Sequence, residues 1–181
     1  MSPDLEYLSS YSGGISARGV PDWLTLFEIW NCHVDAWDGD GAGSCRWSLG
    51  LNKAEGVGMP LRFEISAEYM QPESLIFDEL WPKQVNSTVE VPLGQWVTLD
   101  VSFVPGQGAA GHLRITLTPD GGATETVFDI SGHTAYPDHP EIPLQSWQPF
   151  KLYTSDDVLD FFSTNGRRIY AYYNDVAWYR H

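Results

Sequence analysis

Residues 112–130 read HLRITLTPDGGATETVFDI, and the reading of this stretch decides the fold class. Leu113, Ile115 and Leu117 alternate with His112, Arg114 and Thr116, the period of two that gives a strand one dry face and one wet face. The PDGGA that follows supplies residues able to adopt positive φ, and TETVFDI then resumes the strand-like pattern. The spacing predicts a β-hairpin.

Working outward, the same short runs rich in Val, Ile, Thr, Phe, Tyr and Trp recur. They are WLTLFEIWNCH, CRWSLGLNK, LRFEISAEY, QWVTLDVSFV, FKLYTS and RRIYAYYNDVAWY. Gly, Pro and Asp clusters punctuate them (DGDGAGS, AEGVGMP, VPGQGAAG), as turns between strands require. Parity sorts several runs into faces: Trp47, Leu49 and Leu51 oppose Arg46, Ser48 and Asn52, and Phe63, Ile65 and Ala67 oppose Arg62, Glu64 and Ser66. One helix is expected, in SDDVLDFFSTNG. Ser155 is placed to cap it, Asp156 and Asp157 suit its first turn, and Gly166 ends it. Val158, Leu159, Phe161 and Phe162 would close one end of the body. The expected fold is all-β, an antiparallel β-sandwich with one short helix. Residues 1–20 read as an N-terminal lead-in or an edge strand, and residues 21–181 as a single domain.

Composition narrows the partners. The 24 acidic residues outweigh 10 basic ones, a net charge of −14, which argues against nucleic acid because phosphate neutralisation needs clustered Lys and Arg. No apolar run is long enough to span a bilayer. The opening MSPDLEYLSS lacks the basic and apolar regions of a secretory signal, so the chain is either cytoplasmic or secreted with its signal absent from this sequence. Cys32 and Cys45 flank a turn-like segment. They are either bridged, which would place the chain in an oxidising compartment, or two buried thiols. Asn86-Ser87-Thr88 matches a glycosylation sequon.

The polar faces carry the candidate chemistry. Glu28 and Trp30 share one side of their strand, Lys151 and Tyr153 share another, and Tyr170, Tyr172 and Asn174 alternate on a third. If these strands join one sheet, its outer face presents aromatic rings beside Glu28, Arg62, Glu64 and Lys151, with Asn31 as a further candidate for substrate binding. Flat rings stack on the C–H faces of sugars while charged and amide groups fix hydroxyls, so a polysaccharide is the expected partner. The bland alternative is that aromatic cross-strand pairs only stabilise the sheet. Hydrolysis would need Glu28 and Glu64 close together across a scissile bond. A β-eliminating lyase would need a base and a carboxylate neutraliser; Tyr153 or His33 supplies the first, and Lys151, Arg62 or Asn31 the second. Asp35, Asp38 and Asp40 in DAWDGDG offer oxygen ligands of the kind Ca2+ prefers, so the expectation is no required cofactor, with a structural calcium on this loop as the one metal candidate. An exposed aromatic face also suits a homo-oligomer, and self-assembly is a third reading.

The order TLFEIWN, RWSLGLNK, VPLGQWVTLDVSF, LTPDGG with VFDI, PFKLYTSD and YYNDVAWY resembles secreted concanavalin A-like jelly-roll proteins. Within that group, over roughly residues 21–180, it is similar to heparin-lyase-like and glucuronan-lyase-like polysaccharide lyases. FKLYTSD is the most telling piece: those lyases carry a Lys-x-x-Tyr-type strand near the C-terminal end, here spaced as Lys151-x-Tyr153. The resemblance implies a secreted or surface-bound jelly roll whose concave sheet holds a glycan, with Lys151 and Tyr153 in the groove. The family's Gln and His groups have their nearest counterparts here in Asn31 and His33. The expected function is therefore carbohydrate recognition or an extracellular structural role, with lyase activity and self-assembly as the alternatives.

Overall fold

The computed structural model describes residues 3–17, 21–32, 44–70, 77–137, 146–149, 151–177 and 179. Among these residues ten strands form two sheets: β1 (Ile15–Ser16), β2 (Asp22–Cys32), β3 (Ser44–Asn52), β4 (Arg62–Met70), β5 (Phe77–Val85), β6 (Val97–Val104), β7 (His112–Pro119), β8 (Glu125–Ser131), β9 (Ser146–Gln148) and β10 (Tyr153–Thr154). The large sheet runs β1-β2-β3-β4-β5, with β9 and β10 also pairing β2, and the small sheet runs β6-β7-β8. All pairings are antiparallel except β1 with β2. Both sheets turn apolar residues into one core, where Trp47 of β3 meets Phe103 of β6 edge-on at 5.0 Å. This is the layout of an all-β sandwich.

The hairpin forms as expected. β7 and β8 pair from His112↔Ser131 to Leu117↔Glu125, and Gly121 sits in the turn at φ 69°, where a side chain would be strained. Leu113, Ile115 and Leu117 are no more than 1% exposed. Helix α1 spans Asp156–Thr164 and buries Val158 and Phe162, but Leu159 points to solvent. Ser155 occupies the cap position without capping; its hydroxyl instead donates to Asp22 Oδ1 at 2.7 Å.

At the chain ends one expectation is met in part and one needs correction. The first twenty residues contribute the edge strand β1, and Pro3–Ser10 add a 3-10 helix whose Leu5 and Leu8 lie in the core. Conversely, residues 167–177 form no strand, although their composition predicts one. Asp175 adopts φ 53°, a left-handed conformation that interrupts an extended run. FKLYTS also contributes less than expected, since of its described residues only Tyr153 and Thr154 pair as strand.

Two strands escape the sequence pattern altogether, the short β9 and β5. β5 reads FDELWPKQV, and its charges and Pro82 hide it. It lies at the end of the large sheet, where a proline that cannot donate to a ladder is tolerated.

Candidate functional site

The cross-strand register assembles one polar face. Trp30, Arg46 and Glu68 stand in one row across β2, β3 and β4, and Glu28 and Ser48 stand in the next row with Ser66. These groups point away from the core, as parity predicts, yet they are not solvated: Glu28, Arg46, Ser48, Glu64 and Ser66 are all buried. The wet face expected from alternation is, at its centre, a covered polar layer.

Burial forces each charge to find donors or acceptors. Glu28 accepts from Trp30 Nε1 at 2.7 Å, from Ser48 Oγ at 3.0 Å, and from Lys151 Nζ, with which it forms an ion pair. Arg46 pairs with Glu68 at 3.0 Å and lies over the Trp30 ring, 5.2 Å from its centroid. Glu64 accepts from the Ser16 hydroxyl, from Ala17 N at 3.0 Å, and from Asn52 Nδ2 at 2.6 Å. Ser16 and Ala17 thereby strap the N-terminal segment over β3. Gly50 makes room for that strap, because a Cβ there would collide with the Leu24 carbonyl and the Ala17 backbone.

Lys151 links the covered layer to the surface. Its ammonium lies over the Tyr153 ring, 4.9 Å from the centroid, and Tyr153 packs against Trp23 at 5.6 Å. Tyr153 is 51% exposed. Two buried polar atoms on this side have no hydrogen-bond partner among the described residues, Trp23 Nε1 and Ser66 Oγ. Such orphans are uncommon in folded proteins and mark places where a ligand or water completes the bonding.

The structure therefore brings together Glu28, Trp30, Glu64, Lys151 and Tyr153 of the expected site. Arg62 lies at its border, pairing across from Asn52 and donating to the Ser87 carbonyl at 3.1 Å. Tyr170, Tyr172 and Asn174 do not join the face, because the segment that carries them is not in the sheet. His33, Asp35, Asp38 and Asp40 lie outside the described residues, as do the side chains of Asn31 and Cys32; Cys45 is buried in the core. Among the described residues no His, Cys, Asp and Glu cluster suits a metal, and no helix is long and apolar enough to cross a membrane.

Trp23 and Glu68 belong to this face without having been selected in the sequence, and Arg46 and Ser66, sorted by parity onto wet faces but not taken as site residues, join them. The available signal was register: with β3 and β4 paired, Arg46 must oppose Glu68 and Ser48 must oppose Ser66. Elsewhere, the sequon asparagine is structurally engaged. Asn86 Nδ2 donates to the Val127 carbonyl at 2.6 Å, and its Oδ1 accepts from Thr88 N and Val89 N.

The two central carboxylates are poorly placed for joint hydrolysis. Glu28 is committed to Ser48, Trp30 and Lys151, and Glu64 to Asn52 and the N-terminal strap. Both act as fasteners. Comparison with protein-family models, with curated proteins and with solved structures finds no match for this chain.

Proposed function

We propose that this chain is a carbohydrate-recognition module of a secreted or cell-surface protein, built as a concanavalin A-like jelly roll. Its binding surface is the Tyr153 side of the large sheet's polar face. The observation that carries the reading is the connected series Trp23, Tyr153, Lys151, Glu28, Trp30 and Arg46, in which exposed aromatic surface borders fixed charges. Rings stack on pyranose faces, and the charged groups beside them are suited to fix a ligand's hydroxyls.

Lyase activity is the less favoured alternative. Lys151, the group that would neutralise a uronate carboxylate, is already paired with Glu28, and a chain of net charge −14 repels a polyanion. A neutral polysaccharide is the better fit.

Affinity gel electrophoresis in a panel of neutral polysaccharides tests the proposal. Tyr153→Ala and Trp30→Ala should each lose most of the retardation shown by the parent chain, while Tyr172→Ala, off the face, retains it. Retardation that is absent across the panel, or indifferent to Tyr153 and Trp30, refutes the reading. A rise in ultraviolet absorbance on uronate polymers would install the lyase in its place.

A further inference from the structure

We propose that two copies of this chain join through β6, edge to edge and antiparallel about a two-fold axis at Val101, so that the small sheet of each continues into that of the other. β6 ends the order β6-β7-β8, so among the described residues one side of its backbone lacks a ladder partner, a template for strand addition. The edge is open. Thr98, Asp100, Ser102 and Val104 are exposed, and so is Leu99 at 38%, although its β7 partner Leu117 is 1% exposed in the core. Val101 and Phe103 are also only partly covered. An added strand would cover all three.

Which backbone groups face that edge follows from the pairing with β7. Asp120 N donates to the Trp96 carbonyl at 3.0 Å, one residue before the unbroken register that starts at Val97↔Pro119. In an antiparallel pair, opposed residues that exchange hydrogen bonds alternate with opposed residues that do not. The even-numbered residues of β6 therefore turn their N–H and C=O groups to β7, and Leu99, Val101 and Phe103 turn theirs outward. An axis at Val101 sets this residue opposite its own copy and Leu99 opposite Phe103 of the second copy. All three open positions then become hydrogen-bonded pairs. The same register extends the dry face, because Leu99, Val101 and Phe103 share the core side with Leu117, Ile115 and Leu113.

Charge and self-complementarity select a second copy as the occupant. Each chain carries a net charge of −14, so two copies repel unless they meet where charge is sparse. Asp100 is the sole charged residue of β6, whereas β8 holds Glu125 and Asp129, and β5 holds Asp78, Glu79 and Lys83 with Pro82. The axis also decides what Asp100 meets. With the axis at Val101 it faces Ser102 of the second copy, whose hydroxyl can donate to it. Moved to Asp100, the axis would set that carboxylate against its own copy, which is destabilising. Moved to Ser102, it would set Leu99 against Pro105, which has no N–H to give. Of the three, Val101 alone avoids both faults, and a two-fold there closes the assembly at a dimer.

Sedimentation equilibrium of the full chain over a wide concentration range is the test, with the expected result a reversible dimer. Ser102→Lys sets an ammonium opposite Asp100 of the second copy, twice in each dimer, and should tighten it about tenfold. Ser102→Asp sets like charges there and should loosen it about tenfold. Ser131→Lys, exposed at the end of β8, changes the net charge as Ser102→Lys does and should move the constant far less. Val101→Pro removes an outward N–H at the axis and should give a monomer. A cooperative melt like the parent's shows that this variant folds, and the two Ser102 variants carry the test where it does not. A parent chain that stays monomeric at every concentration overturns the proposal, including one whose edge captures an extended peptide of another protein instead. So does a dimer that is indifferent to the sign of the charge at residue 102. Glycan retardation is read separately, so this result and that of the binding face do not depend on each other.

Discussion

The outward faces of the two sheets are written in the same alternating code and live in different media. On the small sheet, His112 pairs with Asp129 at 2.6 Å with side chains 36% and 50% exposed, and Arg114 reaches the same carboxylate at 3.9 Å. On the large sheet the Lys151–Glu28 pair is 20% and 1% exposed. The first is a solvated decoration. The second is an internal joint, for which water offers no substitute, so every donor around Glu28 is committed. A charge's meaning in this chain follows from what covers it, and parity alone does not say.

The sharpest way to break this contrast is Glu28→Ala. It leaves Lys151 without its anion and the Ser48 hydroxyl and Trp30 indole without their acceptor. Losing one partner of a largely buried pair costs more than the pair itself contributes, so a destabilisation of about 3 kcal/mol is expected. Urea unfolding measures it. A cost like that of a surface charge would mean that the covered layer is solvated after all.

A smaller effect separates the two regions by pH. Tyr11 donates to Asp22 Oδ2 at 2.5 Å beside the Ser155 bond to the same carboxylate. Burial, then the bond to Asp22 and its negative charge, push the Tyr11 phenol well above its usual 10.0. Above pH 10 the unfolded chain releases this proton while the folded chain keeps it, so stability present below pH 10 is lost as pH rises further. Tyr11→Phe should cost about 1 kcal/mol at neutral pH for the lost hydrogen bond and flatten that alkaline loss. Chemical unfolding of both forms between neutral pH and the alkaline range reads the difference, and parallel curves would show that Tyr11 is not the titrating group.

Much of the sandwich was legible because a period of two is a local property. The hairpin at residues 112–130, the inward Trp47, Leu49 and Leu51, and helix α1 all follow from neighbours a few positions apart. What stayed hidden depends on contacts distant in sequence. Parity suggests a shared face for Glu28 and Lys151 but does not announce that they form a covered ion pair across 123 residues, and nothing near Glu64 announces that Ser16 and Ala17 will lie across β3. β5 was hidden for the opposite reason: its local chemistry argues against a strand, and its place at the sheet's end permits one. The described residues 167–177 show the converse error, a strong strand pattern that joins neither sheet.

The smallest expected effect completes the contrast. Asp129→Asn on the small sheet removes an acceptor charge from both His112 and Arg114. All three side chains are at least 36% exposed, so water replaces what the carboxylate supplied, and the change should fall within about 0.5 kcal/mol. Added salt should shrink even that difference, because exposed pairs are screened over about 10 Å at 0.1 M, while the Glu28→Ala loss should resist salt. The same two variants unfolded in low and high salt give four values. If the Asp129 difference persists at high salt, or the Glu28 difference fades, the two faces are not different media.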